Sequence, residues 1–116
     1  MMSGTQFKQG DIVLVPVPFT DLSEAKQRPA LIISNDNYNA KVEDIVVCGI
    51  TSNIKDEDFS IVIDQKDMAD GIMPFLSRIK ADKLFSLNKN IISRRLGRVK
   101  KEVLNNVRKE ILKLVE

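Results

Sequence analysis

Six consecutive residues, Ile12-Val13-Leu14-Val15-Pro16-Val17, would present apolar side chains to both faces of any strand they form. Such a strand needs cover on two sides, which a barrel or a covered sheet supplies. Gly10-Asp11 signals a turn just before it, and Pro16 and Pro18 end regular pairing after it. Two more short runs share the pattern: Arg28-Pro29-Ala30-Leu31-Ile32-Ile33-Ser34 and Ile45-Val46-Val47-Cys48-Gly49-Ile50-Thr51-Ser52. Both are too short for helices and rich in branched aliphatics, so both read as buried strands. Proline at position 29 fits a strand that is just starting, which puts the always-charged Arg28 at its mouth. A simple antiparallel register then sets Ser34 near Ile45 and Arg28 near Thr51.

The remaining segments support a mainly β reading. Phe19 leads a polar loop reaching Gln27, and Asn35-Asp36-Asn37-Tyr38-Asn39-Ala40-Lys41 is turn-rich with one short helical turn. Residues 53–58 form a connecting loop, Phe59-Ser60-Ile61-Val62-Ile63 alternates as a strand, and Asp67-Met68-Ala69-Asp70-Gly71 turns the chain. Residues 77–81 and 83–87 read as two strand segments, and Ile91-Ile92-Ser93-Arg94-Arg95-Leu96-Gly97 as another that ends in glycine. From Lys100 the period changes: Val103, Val107, Ile111 and Val115 recur every four residues, the mark of an amphipathic helix packed on the sheet. No repeat or long linker interrupts the chain, so residues 1–116 are read as a single domain.

Composition narrows the chemistry. There is no histidine and one cysteine, which excludes a histidine-driven nucleophile, a disulfide framework and any ordinary zinc site. No metal and no cofactor are expected. Cys48 sits inside an apolar run and reads as core. No stretch has the length or apolarity of a signal peptide or a membrane span, which points to the reducing cytoplasm. The net charge of +2 hides a polarity: residues 1–76 hold 6 Lys/Arg against 12 Asp/Glu, and residues 77–116 hold 12 against 4. Between Ser77 and Lys101 the only acid is Asp82. An anionic partner, nucleic acid first, suits such a chain, although a basic face can also be merely solvated.

Four pieces in order carry a resemblance. They are Gly10-Asp11-Ile12-Val13-Leu14-Val15, Arg28-Pro29-Ala30-Leu31-Ile32-Ile33-Ser34, Cys48-Gly49-Ile50-Thr51-Ser52, and the block from Ser77-Arg78-Ile79-Lys80 to Lys83-Leu84-Phe85-Ser86-Leu87. With Arg95-Leu96-Gly97 and the closing helix, the chain resembles the MazF/PemK family of toxin–antitoxin ribonucleases. The resemblance implies an SH3-like, partly open β-barrel with short helices and a C-terminal amphipathic helix, acting as a homodimer. It implies metal-independent cleavage of single-stranded RNA and inhibition by a cognate antitoxin. It assigns cleavage to the positions held by Arg28 and Thr51, and a supporting role to Arg78. Some members carry an acid two residues after that arginine, where this chain has Lys80, and some use a first-loop histidine that this chain lacks.

These residue types suit attack by the substrate's own 2′-hydroxyl. Arg28 can bridge two phosphoryl oxygens and stabilise developing charge, while Thr51 can donate to one oxygen and accept from another group. Ser52 can orient the substrate, Arg78 and Lys80 hold flanking phosphates, and Phe19 and Glu24 belong to the RNA-contacting loop. No conventional general base is evident, Asp21 and Glu24 being candidates by position alone. Two other functions compete: a toxin of the same fold that poisons DNA gyrase, and a non-catalytic RNA-binding SH3-like module. The first uses a tryptophan near the chain end, and this chain has none.

Overall fold

Double-sided burial is what the three runs achieve. In the computed structural model, which describes residues 6–17, 26–55 and 57–116, they form β1 (Asp11–Val17), β2 (Lys26–Ile32) and β3 (Asp44–Thr51). Side chains alternate between two cores. On one side Ile12, Leu31, Cys48 and Ile50 meet Ile79 and Val99; on the other Val13, Val15, Ala30, Ile32, Ile45 and Val47 meet Leu87. The C-terminal helix α2 (Lys101–Val115) covers the first core with Val103 and Val107. Phe7, Val42 and Ile92 close the second. The four-residue period of α2 therefore packs as expected from Val103 through Ile111, whereas Val115 at its end is 70% exposed.

A short helix α1 (Asp36–Lys41) follows β2, and its N-cap Asn35 accepts a hydrogen bond from Tyr38 N at 2.8 Å. The remaining strands are β4 (Ser60–Ile63), β5 (Met68–Gly71), β6 (Ser77–Asn88) and β7 (Arg94–Val99). All seven pair antiparallel in the order β4-β6-β3-β2-β1-β7-β5, a sheet curled into a half-barrel. The register of β2 on β3 is the one read from the sequence: Ala30 faces Gly49, Leu31 faces Cys48 and Ile32 faces Val47. Continued two residues, it brings Arg28 opposite Thr51.

Several elements differ from the sequence reading. Arg28 is the third residue of β2, not at its mouth, because pairing with β1 extends the strand back to Lys26. Pro29 is tolerated there because pairing with β3 begins only at Ala30. Segments 77–81 and 83–87 are one strand of 12 residues with a register shift: Cys48 faces Leu84 while Ile50 faces Ile79. Residues 80–83 thus bow outward across from Gly49, which splits the apolar pattern in two. Residues 65–67 make a 3-10 turn, and 68–71 are a strand rather than a turn. That strand lies so close to β7 that a Cβ on Gly71 would sit 2.2 Å from Leu96 O, and one on Gly97 2.4 Å from Asp70 O. Residues 89–91 likewise form a 3-10 turn, delaying β7 to Arg94.

The joint between β1 and β7 is polar and buried. Asp11 is wholly buried, and its carboxylate accepts from Lys8 N at 2.8 Å, Arg95 Nε at 3.0 Å and Arg98 Nε at 3.1 Å. Arg95 also donates to Asp70 at 2.6 Å, which ties in β5. Burial works against the Arg95 charge, but its hydrogen bonds to Asp11 and Asp70 outweigh that and raise its pKa above the ordinary guanidinium value. No helix among the described residues is long and apolar enough to cross a membrane.

Two measurements check this core. Asp11→Ala removes the shared anion, with an expected loss of about 3 kcal/mol in urea unfolding, the low end for a broken buried pair. The low end applies because Arg95 and Arg98 keep 34% and 41% of their side chains in water. Burial pushes the Cys48 thiol up to about 12, so the folded state keeps a proton that the unfolded chain loses near pH ~8.5. Its contribution to stability is complete below that pH and declines as pH rises towards 12. Urea midpoints should fall more steeply above pH ~9 for the native protein than for Cys48→Ala.

Candidate active site

At the end of the sheet where β2 and β3 bring Arg28 and Thr51 together, a groove of about 640 Å³ opens. Both residues line it, joined by Asn53, Glu57, Lys80 and Lys83, with Val15 and Phe85 as apolar walls. Arg28 is half-buried, and its Nε lies below the surface. Thr51 Oγ1 accepts from Asn53 N at 3.1 Å, a turn that leaves the hydroxyl proton available for donation. Phe85 is 39% exposed, enough to offer a ring face to a planar ligand. Among the described residues, three cations and one carboxylate line the groove, so they favour an anion.

Arg78 and Lys80 differ in what they do, although they sit two residues apart on one face of β6. Arg78 is buried opposite Thr51 and is not among the groove-lining residues. Its guanidinium donates to Ser60 Oγ at 2.9 Å and to Ile54 O at 3.4 Å. Ser60 Oγ in turn donates to Glu57 O at 2.5 Å, so Arg78 braces the loop between β3 and β4 from behind. Phe59 turns that loop with φ of 58°, and its carbonyl accepts from Ala81 N at 2.9 Å. Lys80 is also buried but lines the groove, and its ammonium donates to the Glu57 carboxylate.

Ser52 is exposed and does not line the groove. Phe19 and Glu24, with Asp21, lie outside the described residues. Sequence reasoning missed Asn53, Glu57, Lys83 and Phe85. The first two fall in a loop with no periodicity, and the last two are placed by the bow in β6. A second cleft of about 490 Å³, lined by Lys8, Arg98, Lys101 and Arg108 among others, contains none of the sequence-predicted residues. Among the described residues, no three His, Cys, Asp or Glu side chains converge as a metal site would need.

Comparisons with known proteins come down on one family. The family described as PemK-like, MazF-like toxin of type II toxin–antitoxin systems matches residues 8–115. A MazE–MazF structure from Deinococcus radiodurans superposes with a TM-score of 0.79 at 23% identity, covering 96% of this chain and 97% of that one. A mycobacterial endoribonuclease solved with its cognate antitoxin gives 0.77 at 18% identity, covering 93% of each chain. The Mycobacterium tuberculosis toxin MazF-mt6 gives 0.72 at 14% identity, covering 90% and 95%. At these identities the likeness shows a shared fold. No curated protein matches the chain in sequence at a significant level.

The bracing role of Arg78 is testable without any substrate. Arg78→Met should cost about 2 kcal/mol, the worth of hydrogen bonds from a charged group. Amide hydrogen exchange at residues 53–59 should accelerate at least tenfold more than in α2. Uniform acceleration across the molecule would remove the local role.

Proposed function

The chain belongs to the PemK-like, MazF-like toxin family of type II toxin–antitoxin systems, and on that premise we propose that it is a sequence-specific endoribonuclease. The substrate is single-stranded RNA, the reaction needs no metal, and cleavage of messages arrests growth. The observation that carries the reading is the meeting of Arg28 and Thr51 in one cationic groove.

In this mechanism the RNA's 2′-hydroxyl attacks the adjacent phosphorus: its proton passes to water, the O2′–P bond forms, the P–O5′ bond breaks and the leaving oxygen takes up a proton from solvent. The products are a 2′,3′-cyclic phosphate and a 5′-hydroxyl. Arg28 spans the non-bridging oxygens, where a preorganised donor is worth about 10²–10³ in rate. Proton donation to the leaving oxygen is a lesser role for it, since its ordinary pKa is ~12.5 or above. Thr51 donates its hydroxyl proton to the same phosphoryl group. Lys83 and Lys80 meet flanking phosphates, and Phe85 stacks on a base, the usual arrangement for holding single strands. Arg78 acts from behind, by keeping the 53–59 loop in place.

Two partners belong to the same reading. A homodimer would join two basic surfaces into a longer groove. A cognate antitoxin would cover it with an acidic or amphipathic segment that folds on binding. The structures from Deinococcus radiodurans and the mycobacterial species, named as complexes with an antitoxin, support that partner. The toxin would act in the cytoplasm, where its message substrates are.

Purified protein incubated in EDTA with mixed single-stranded RNA should give discrete cuts ending in 2′,3′-cyclic phosphate. Arg28→Ala should lower kcat by about 10²–10³ with an unchanged circular dichroism spectrum, and Thr51→Ala by a smaller factor. Undiminished cutting by Arg28→Ala would overturn the assignment.

A further inference from the structure

Lys80 is a buried cation with an acid from the neighbouring loop drawn onto it. Its side chain is 10% exposed, its ammonium donates to Glu57, and Asp82 Oδ1 stands farther off at 3.8 Å. Among the described residues, Glu57 is the only acid lining a groove whose other charged residues are Arg28, Lys80 and Lys83. A carboxylate in that position opposes the entry of a phosphate, because like charges at contact distance repel. It is nevertheless held there. Ser60 Oγ fixes the Glu57 carbonyl, and Arg78 fixes Ser60 and Ile54 on either side of it.

A buried ammonium cannot be left without a counter-charge, so a carboxylate of the same chain supplies one while the groove is empty. We propose that Glu57 is an internal stand-in for a substrate phosphodiester: it occupies Lys80 in the free protein and gives way when an RNA phosphate arrives. The side chain is 47% exposed, so it can swing into water without rearranging the core. Asp82 remains near Lys80 throughout and moderates the cost of the exchange. On this account Glu57 takes no part in the chemical step. It sets an electrostatic threshold for occupancy, so that a weakly held or short anion fails to displace it while a polyanion anchored also on Arg28 and Lys83 succeeds. The proposal rests on the ribonuclease reading for the identity of the polyanion, and on the ion pair alone for the exchange.

Glu57→Gln tests it, because the amide can still accept from Lys80 while the competing charge is gone. The probe is a single-stranded RNA with 2′-O-methyl groups throughout, which has no free 2′-hydroxyl to attack and cannot be cut. The variant should bind it roughly fivefold more tightly at low salt. With cleavable RNA the gain should appear as a lower KM. Unchanged affinity would overturn the proposal, and a large drop in kcat would instead place Glu57 in the chemistry and overturn it too. If neither protein binds RNA, the ribonuclease reading fails, and titration with inorganic phosphate decides the exchange by itself. Tighter phosphate binding by Glu57→Gln upholds the exchange, and equal binding by both proteins ends it. Unfolding in urea run alongside shows that the variant is folded.

Discussion

One buried carboxylate holds the two ends of this chain together. Asp11 lies at the start of β1, while its arginine partners lie on β7, more than eighty residues away. A carboxylate shut away from water is tolerable only if its oxygens are filled, and three donors converge on this one. Arg95 carries the link on to β5 through Asp70. The half-barrel therefore closes through a charge cluster at the joint where the apolar cores alone would permit sliding. The close backbone crossing of Gly71 and Gly97 lies on the same pair of strands. Charge and glycine together fix how β5 and β7 meet.

A similar accounting governs the site. Two cations of β6 are buried: Arg78 donates to Ile54 O in the loop between β3 and β4 and to Ser60 where β4 begins, and Lys80 donates to Glu57 of the same loop, with Asp82 farther off. That loop has little apolar anchorage of its own, and Ile54 is 45% exposed. Its shape is set by what Arg78 and Lys80 demand. The floor of the groove is rigid because β2 and β3 are buried on both faces, and its wall is a polar loop clamped from beneath. Rigid floor and clamped wall suit a site that must hold a flexible single strand in one geometry.

The fold was largely legible in the sequence because its signals were strong and local. Apolar runs of strand length gave β1, β2 and β3 and even their register, since Ser34 and Thr51 bounded the runs so as to leave few alternatives. The amphipathic period gave α2. Asp67-Met68-Ala69-Asp70-Gly71 misled because turn-forming composition also occurs on a short edge strand whose glycine is needed for close approach. The nearness of Arg28 and Thr51 was legible from the register of the two runs, although β2 begins two residues before Arg28. Glu57 was not, because nothing local marks which acid of Asp56-Glu57-Asp58 meets a lysine 23 residues further on. Arg78 and Lys80 looked alike as neighbouring cations, and only the sheet behind them assigns one to the loop and the other to the groove.

The bow in β6 opposite Gly49 makes that strand serve two masters in turn. Its first half lies between β4 and β3, and its second half continues along β3 alone. A segment in such a position is fixed in length as well as in composition. Removing or adding one residue between Lys80 and Lys83 would turn every later side chain to the opposite face, sending Leu87 outwards. In a lineage under pressure to change what the groove accepts, this stretch can vary only by exchanging side chains at constant count.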